Sequence, residues 1–90
     1  MAVVSERLRR RIERDFPEPG SASAVIEVVG EVSESERVQA AVVVWGHGDL
    51  VRLRDAADLA EQDWRDVLVR ADLADEDWRL RLDAELGPAG

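Results

Sequence analysis

Leu59-Ala60-Glu61-Gln62-Asp63-Trp64-Arg65 recurs as Leu73-Ala74-Asp75-Glu76-Asp77-Trp78-Arg79, and the fourteen-residue step between these phrases also separates Asp49-Leu50 from Asp63-Trp64. An acidic residue followed by a large apolar one, with apolar residues then returning at helical spacing, marks a helix that is capped and at once buried. As one long helix, residues 49–86 would carry Leu50, Leu53, Ala57, Ala60, Trp64, Val67, Ala71, Ala74 and Trp78 on a 3-4 seam. That seam runs into Arg81 and Glu85 and leaves Leu59, Leu68, Leu73, Leu80 and Leu82 outside it. As three short helices, 50–61, 64–71 and 78–86, the stretch gives each Asp a helix start, anchored by Leu50, Trp64 or Trp78, and gives the remaining leucines neighbours. The three-helix reading is favoured, and it places Trp45, Trp64 and Trp78 in the core, because each follows the apolar periodicity of its helix.

Upstream, Ser33-Glu34-Ser35-Glu36 offers a capping box of Ser33 with Glu36, followed by Val38, Ala41, Val42 and Trp45 at helical spacing. Val43 and Val44 widen the apolar surface, so this is expected to be the central, most buried helix. Gly46 and Gly48 end it, with Gly46 suited to a left-handed C-terminal position. Val25 to Val32 suits helix or strand, being β-branched yet with Val25, Val28, Val29 and Val32 on one helical face. As a helix it would be capped by Ser21 or Ser23 and kept short by Gly30, which costs an exposed helix about 1 kcal/mol relative to Ala. Val4, Leu8, Ile12 and Phe16 make residues 3–16 an amphipathic helix, and Pro17-Glu18-Pro19-Gly20 stops it.

Ninety residues make one domain, 1–90. With no Cys, neither a disulfide framework nor a thiolate metal site holds it together. The longest apolar run, Ala40 to Trp45, is six residues, against roughly 20 for a membrane helix, and no signal-peptide core opens the chain, so a cytoplasmic protein without a membrane partner is expected. The charge is divided: residues 1–16 carry a net +2 and the remainder −10, for −8 in all. The arginines of the first helix are expected to rest on the protein's own carboxylates, and the acidic remainder disfavours nucleic acid.

No reactive constellation emerges. His47, the one histidine, lies between Gly46 and Gly48 with only Asp49 near it, too few ligands for a metal. The five serines, Ser5, Ser21, Ser23, Ser33 and Ser35, cluster at expected helix starts, where capping accounts for them. Asp72, Asp75, Glu76 and Asp77 lack the spacing and glycine of a calcium loop and read as carboxylates at a helix start. Asp55 and Asp58 read as solvated-face residues. No catalytic, cofactor-binding or metal-binding residue is therefore expected.

All twelve basic residues are Arg, and Lys, Asn, Thr and Tyr are missing, a bias typical of a GC-rich coding genome. The phrases Glu36-Arg37-Val38-Gln39-Ala40-Ala41, Gly48-Asp49-Leu50, Asp63-Trp64-Arg65-Asp66, Leu73-Ala74, Asp77-Trp78 and Arg81-Leu82-Asp83 resemble those of short uncharacterised proteins from high-GC actinobacteria. The resemblance spans roughly the last 55 residues, implies a bacterial origin, and carries over no functional residue.

The expected fold is all-α, an orthogonal-type bundle of five or six short helices with Val38 to Trp45 at its centre. The expected function is that of a small acidic, non-enzymatic interaction protein, its partner another protein or a second copy. A regulatory, antitoxin-like or nucleic-acid-mimicking protein that binds a basic partner is the alternative.

Overall fold

In a computed structural model of the chain, residues 4–87 are described and form five helices: α1 (Glu6–Asp15), α2 (Ser21–Val32), α3 (Glu36–Gly46), α4 (Leu50–Arg70) and α5 (Trp78–Leu86). No strand occurs among the described residues, and the fold is a small all-α bundle. No described helix is long and apolar enough to cross a membrane.

Ser5 caps α1 by accepting the N–H of Leu8, and Leu8 and Ile12, one turn apart, are fully buried. The helix is shorter than the expected 3–16: Val4 and Ser5 precede its first turn, because Ser5 caps it, and it stops at Asp15, just before Phe16 and Pro17, while residue 3 lies outside the described residues. Residues 25–32 are helical. Val25 and Val29, also one turn apart, are fully buried, and every available neighbour is a helix that offers no strand edge to pair with, so packing overrides β-branched preference. Neither Ser21 nor Ser23 caps α2. The chain enters it through Gly20 in a left-handed conformation, φ 81°, while the Ser21 N–H donates to the Glu18 carbonyl. Gly30 does not shorten the helix, which runs on to Val32, because its position is half-buried rather than exposed.

The cap of α3 is Ser35, not Ser33: Ser35 Oγ accepts the Val38 N–H, and Ser33 Oγ, two residues earlier, accepts the Ser35 N–H. Glu36 is thus the first helical residue rather than the reciprocal partner of Ser33, and it turns toward α1 instead. As expected, α3 is the central helix, with Val38, Ala40, Ala41, Val42 and Val43 buried. Its left-handed C-terminal residue is His47, φ 50°, and not Gly46. Gly46 serves another need. A Cβ there would sit 3.0 Å from Leu53 Cβ, so α3 and the start of α4 approach too closely for a side chain.

The helical run Leu50–Arg70 is broken inside at Asp63, whose φ −155° and ψ 88° are extended. Asp63 Oδ1 accepts the Arg65 N–H, just as Asp49 Oδ1 accepts those of Val51 and Arg52, so both open a helical segment. With α5 following Asp77, the three-helix reading of the repeat holds, its first two members meeting at a bend. Asp77 departs from the pattern: it makes no side-chain cap and its carboxylate accepts from Arg81 Nε.

The tryptophans do not form the core. Trp64 is 47% exposed, and Trp45 and Trp78 are only partly buried at its margin. Small residues, Ala40 and Ala41 on α3 and Ala56, Ala57 and Ala60 on α4, are buried, and Gly46 of α3 meets Leu53 of α4 too closely to admit a side chain. Leu80 likewise stays outside, 73% exposed, while Leu68, Leu73 and Leu82 are buried.

Candidate functional site

The end of α2, the start of α3 and the bend of α4 enclose a cleft of about 540 Å³ lined by Val32, Ser33, Ser35, Arg37, Val38, Ala60, Glu61 and Trp64. A second recess of about 320 Å³ continues it between α2 and α4, sharing Val32 and Glu61 and adding Val28, Glu31, Arg54, Ala57 and Asp58. The floor is apolar because the small Ala57 and Ala60 of α4 face the valines of α2 without filling the space between them. The walls are polar.

Local sequence explains each wall. Asp63 leaves the helical conformation, so Trp64 becomes the first residue of a new segment and is not carried round into the core by the turn before it. The α2–α3 connection is held by Gln39, 1% exposed, whose Nε2 donates to the Ser33 carbonyl at 2.7 Å. That bond satisfies a buried amide and fixes the loop carrying Ser33 and Ser35. Arg37 is held in turn: its Nε donates to the Leu73 carbonyl at 2.8 Å and its guanidinium lies 4.4 Å from the Trp78 ring.

Every tryptophan is accompanied by arginine. Arg37 and Arg79 each lie 4.4 Å from Trp78, and Arg52 and Arg70 lie 4.2 and 5.4 Å from Trp45. Trp64 has only its neighbour Arg65 within such range among the described residues, at 5.2 Å, and is the most exposed of the three.

Two of the five arginines of α1, Arg7 and Arg11, rest on carboxylates of other elements as expected, while Arg10 and Arg14 pair only within α1 and Arg9 forms no ion pair among the described residues. Arg7, its side chain 10% exposed, donates from Nε and Nη2 to the two oxygens of Glu36 and from Nη1 to Asp83 and to the Gly87 carbonyl. Arg11 bonds Asp15, Glu85 and the Glu85 carbonyl. Hydrogen bonds from Arg7 first, and from Ser5 as well, hold the Glu36 carboxyl below its ordinary range despite partial burial. Glu36 first and Asp83 second raise the Arg7 guanidinium. Burial pushes Arg11 down, but its bonds to Glu85 and Asp15 outweigh that and raise it. These ion pairs tie α1 to α3 and α5.

His47 lies exposed in the turn after α3, and Asp49 beside it is committed to capping α4. Ser5 and Ser35 cap helices, Ser33 caps the turn before α3, and Ser21 and Ser23 lie within α2. Asp72 and Asp77 both pair with Arg81, raising its guanidinium, chiefly through the hydrogen bond that Arg81 donates to Asp77, while Asp55 and Asp58 are exposed on α4. No three His, Cys, Asp or Glu converge among the described residues to hold a metal ion.

Two participants escaped the sequence reading. Gln39 sits at an apolar-looking position with nothing local to announce a buried amide. Trp64 looked like a core residue because the Asp-Trp phrase reports a helix start and not which way the first side chain turns. No protein-family model matches the chain, and neither the curated proteins nor the solved structures yield a match.

Proposed function

We propose that this is a small acidic, non-enzymatic, cytoplasmic protein that works by binding another protein, and that the cleft at Trp64 is where it does so. The half-exposed Trp64 at the edge of an open cleft of mixed polar and apolar lining carries this reading. Tryptophan is the residue most enriched at binding hot spots, and here it stands beside a preformed concavity instead of filling the core. The non-enzymatic part rests on the commitments already described, since the candidate nucleophiles and bases cap helices, hold ion pairs or stand alone. A photoreactive amino acid placed at Ser33 in cells should give one discrete adduct, with itself or with another protein, that the same group at the distant, exposed Glu13 does not give. Identical adduct patterns at the two positions would refute the reading.

A regulatory version, in which the protein occupies a basic surface of its partner as an antitoxin or a nucleic-acid mimic would, is favoured by the exposed carboxylates Asp55, Asp58 and Glu61 along α4 and by the net charge of −8. Complex formation that weakens steeply with salt would support it.

A further inference from the structure

We propose that the groove formed by the two joined recesses takes a short, basic, amphipathic helix from a partner protein, an inference that rests on the cleft being the interaction site. Its length argues for a helix. Along α4 the lining runs from Arg54 to Trp64, ten residues or roughly 15 Å at helical rise, which matches about three turns of a ligand helix and admits anchors at i, i+4 and i+7. The floor of Val28, Val32, Val38, Ala57 and Ala60 receives those anchors, with the Trp64 ring closing one end.

The rim decides the charge. Glu31, Asp58 and Glu61 stand along the groove, all exposed, and none of them forms an ion pair among the described residues. Two arginines line it as well: Arg37, whose guanidinium keeps its charge but is held against the Leu73 carbonyl and the Trp78 ring, and Arg54, so the three carboxylates leave the groove net negative by one charge. A cationic flank on the ligand complements this rim, whereas an anionic lipid surface or a nucleic-acid backbone would be repelled by it. A second copy of this chain is a poor occupant. Its most basic helix, α1, has Leu8 and Ile12 fully buried and Arg7 and Arg11 locked in ion pairs, so it could be offered only by unfolding.

The test is selection of displayed 15-residue helical peptides, half the library carrying Lys and Arg beside a three-anchor apolar stripe and half carrying Asp and Glu, against the intact protein. The enriched sequences should come from the basic half. Their binding should vanish with Trp64→Ala, weaken by at least about tenfold with the exposed double change Asp58→Arg and Glu61→Arg, and fall with salt. Circular dichroism melts of each variant exclude loss of fold as the cause. Trp64-dependent binders that are neutral or acidic and indifferent to the charge reversal would overturn the inference while leaving the cleft as the interaction site. If no binder depends on Trp64, or if Trp64→Ala abolishes self-association of the protein alone, both the basic-helix ligand and, in the first case, the cleft itself are refuted.

Discussion

Arg7 and Glu36, 29 residues apart, are joined by two parallel hydrogen bonds, Nε to Oε2 at 2.9 Å and Nη2 to Oε1 at 2.7 Å. The fork-to-fork geometry fixes the roll of α1 against the first turn of α3 as well as their distance. Because Glu36 is the first residue of α3, the same carboxylate also sits near the positive end of that helix.

This pair makes stability depend on acid in a defined direction. The Glu36 carboxyl titrates lower in the folded chain than in the unfolded one, held down chiefly by the hydrogen bonds from Arg7, so as pH falls the unfolded state binds the proton first. The contribution of Glu36 is therefore fully present above the ordinary carboxylate range of the unfolded chain and is lost as pH falls through the depressed folded value. Urea midpoints measured from pH 7 to pH 2 should fall less steeply at the acid end for Glu36→Gln than for the wild type. Equal acid slopes would mean that Arg7 does not hold the carboxylate in solution.

The repeat should behave unequally under mutation. Asp49→Ala and Asp63→Ala remove carboxylates that accept helix N–H groups and should each cost about 0.5 to 2 kcal/mol. Asp77→Ala removes an exposed pairing with Arg81 and should cost about 0 to 1 kcal/mol. Chemical denaturation of the three variants checks the order, which fails if Asp77→Ala is the most damaging.

Substituting the tryptophans should sort them by burial. Trp64→Ala should change stability by less than about 1 kcal/mol, since the ring is half in solvent, while Trp45→Ala and Trp78→Ala should cost about 1 to 3 kcal/mol through lost packing and lost arginine stacking. In single-tryptophan variants, acrylamide should quench Trp64 most strongly. A protected Trp64 would place the ring in an interface, with itself or with the core.

The turn after α3 carries strain that glycine would relieve at one position and aggravation that alanine would cause at another. His47→Gly should stabilise by a few tenths to about 1 kcal/mol, because the left-handed conformation disfavours a side chain. Gly46→Ala should cost about 1 to 3 kcal/mol by driving a methyl against Leu53. Thermal unfolding reads both, and opposite signs for the two changes are the point at issue.

The helix starts at Asp49 and Asp63, the stop at Pro17, the division of residues 49–86 and the centrality of α3 were all legible in the sequence. Each depends on groups within about four residues of one another, a side chain and the backbone N–H it caps, or apolar positions that share one helix face. Where two serines stood two residues apart, the choice of Ser35 over Ser33 went to the tertiary structure, because Gln39 claims the Ser33 carbonyl and Arg7 claims Glu36. Tertiary structure alone also made residues 25–32 helical, since only the neighbours of Val25 and Val29 decide between two conformations the valines accept. It alone turned Trp64 outward. Periodicity shows that a residue lies on the apolar side of its helix, but how close two helices come, as where Gly46 meets Leu53, and which large side chains are left at the surface depend on the neighbouring helix.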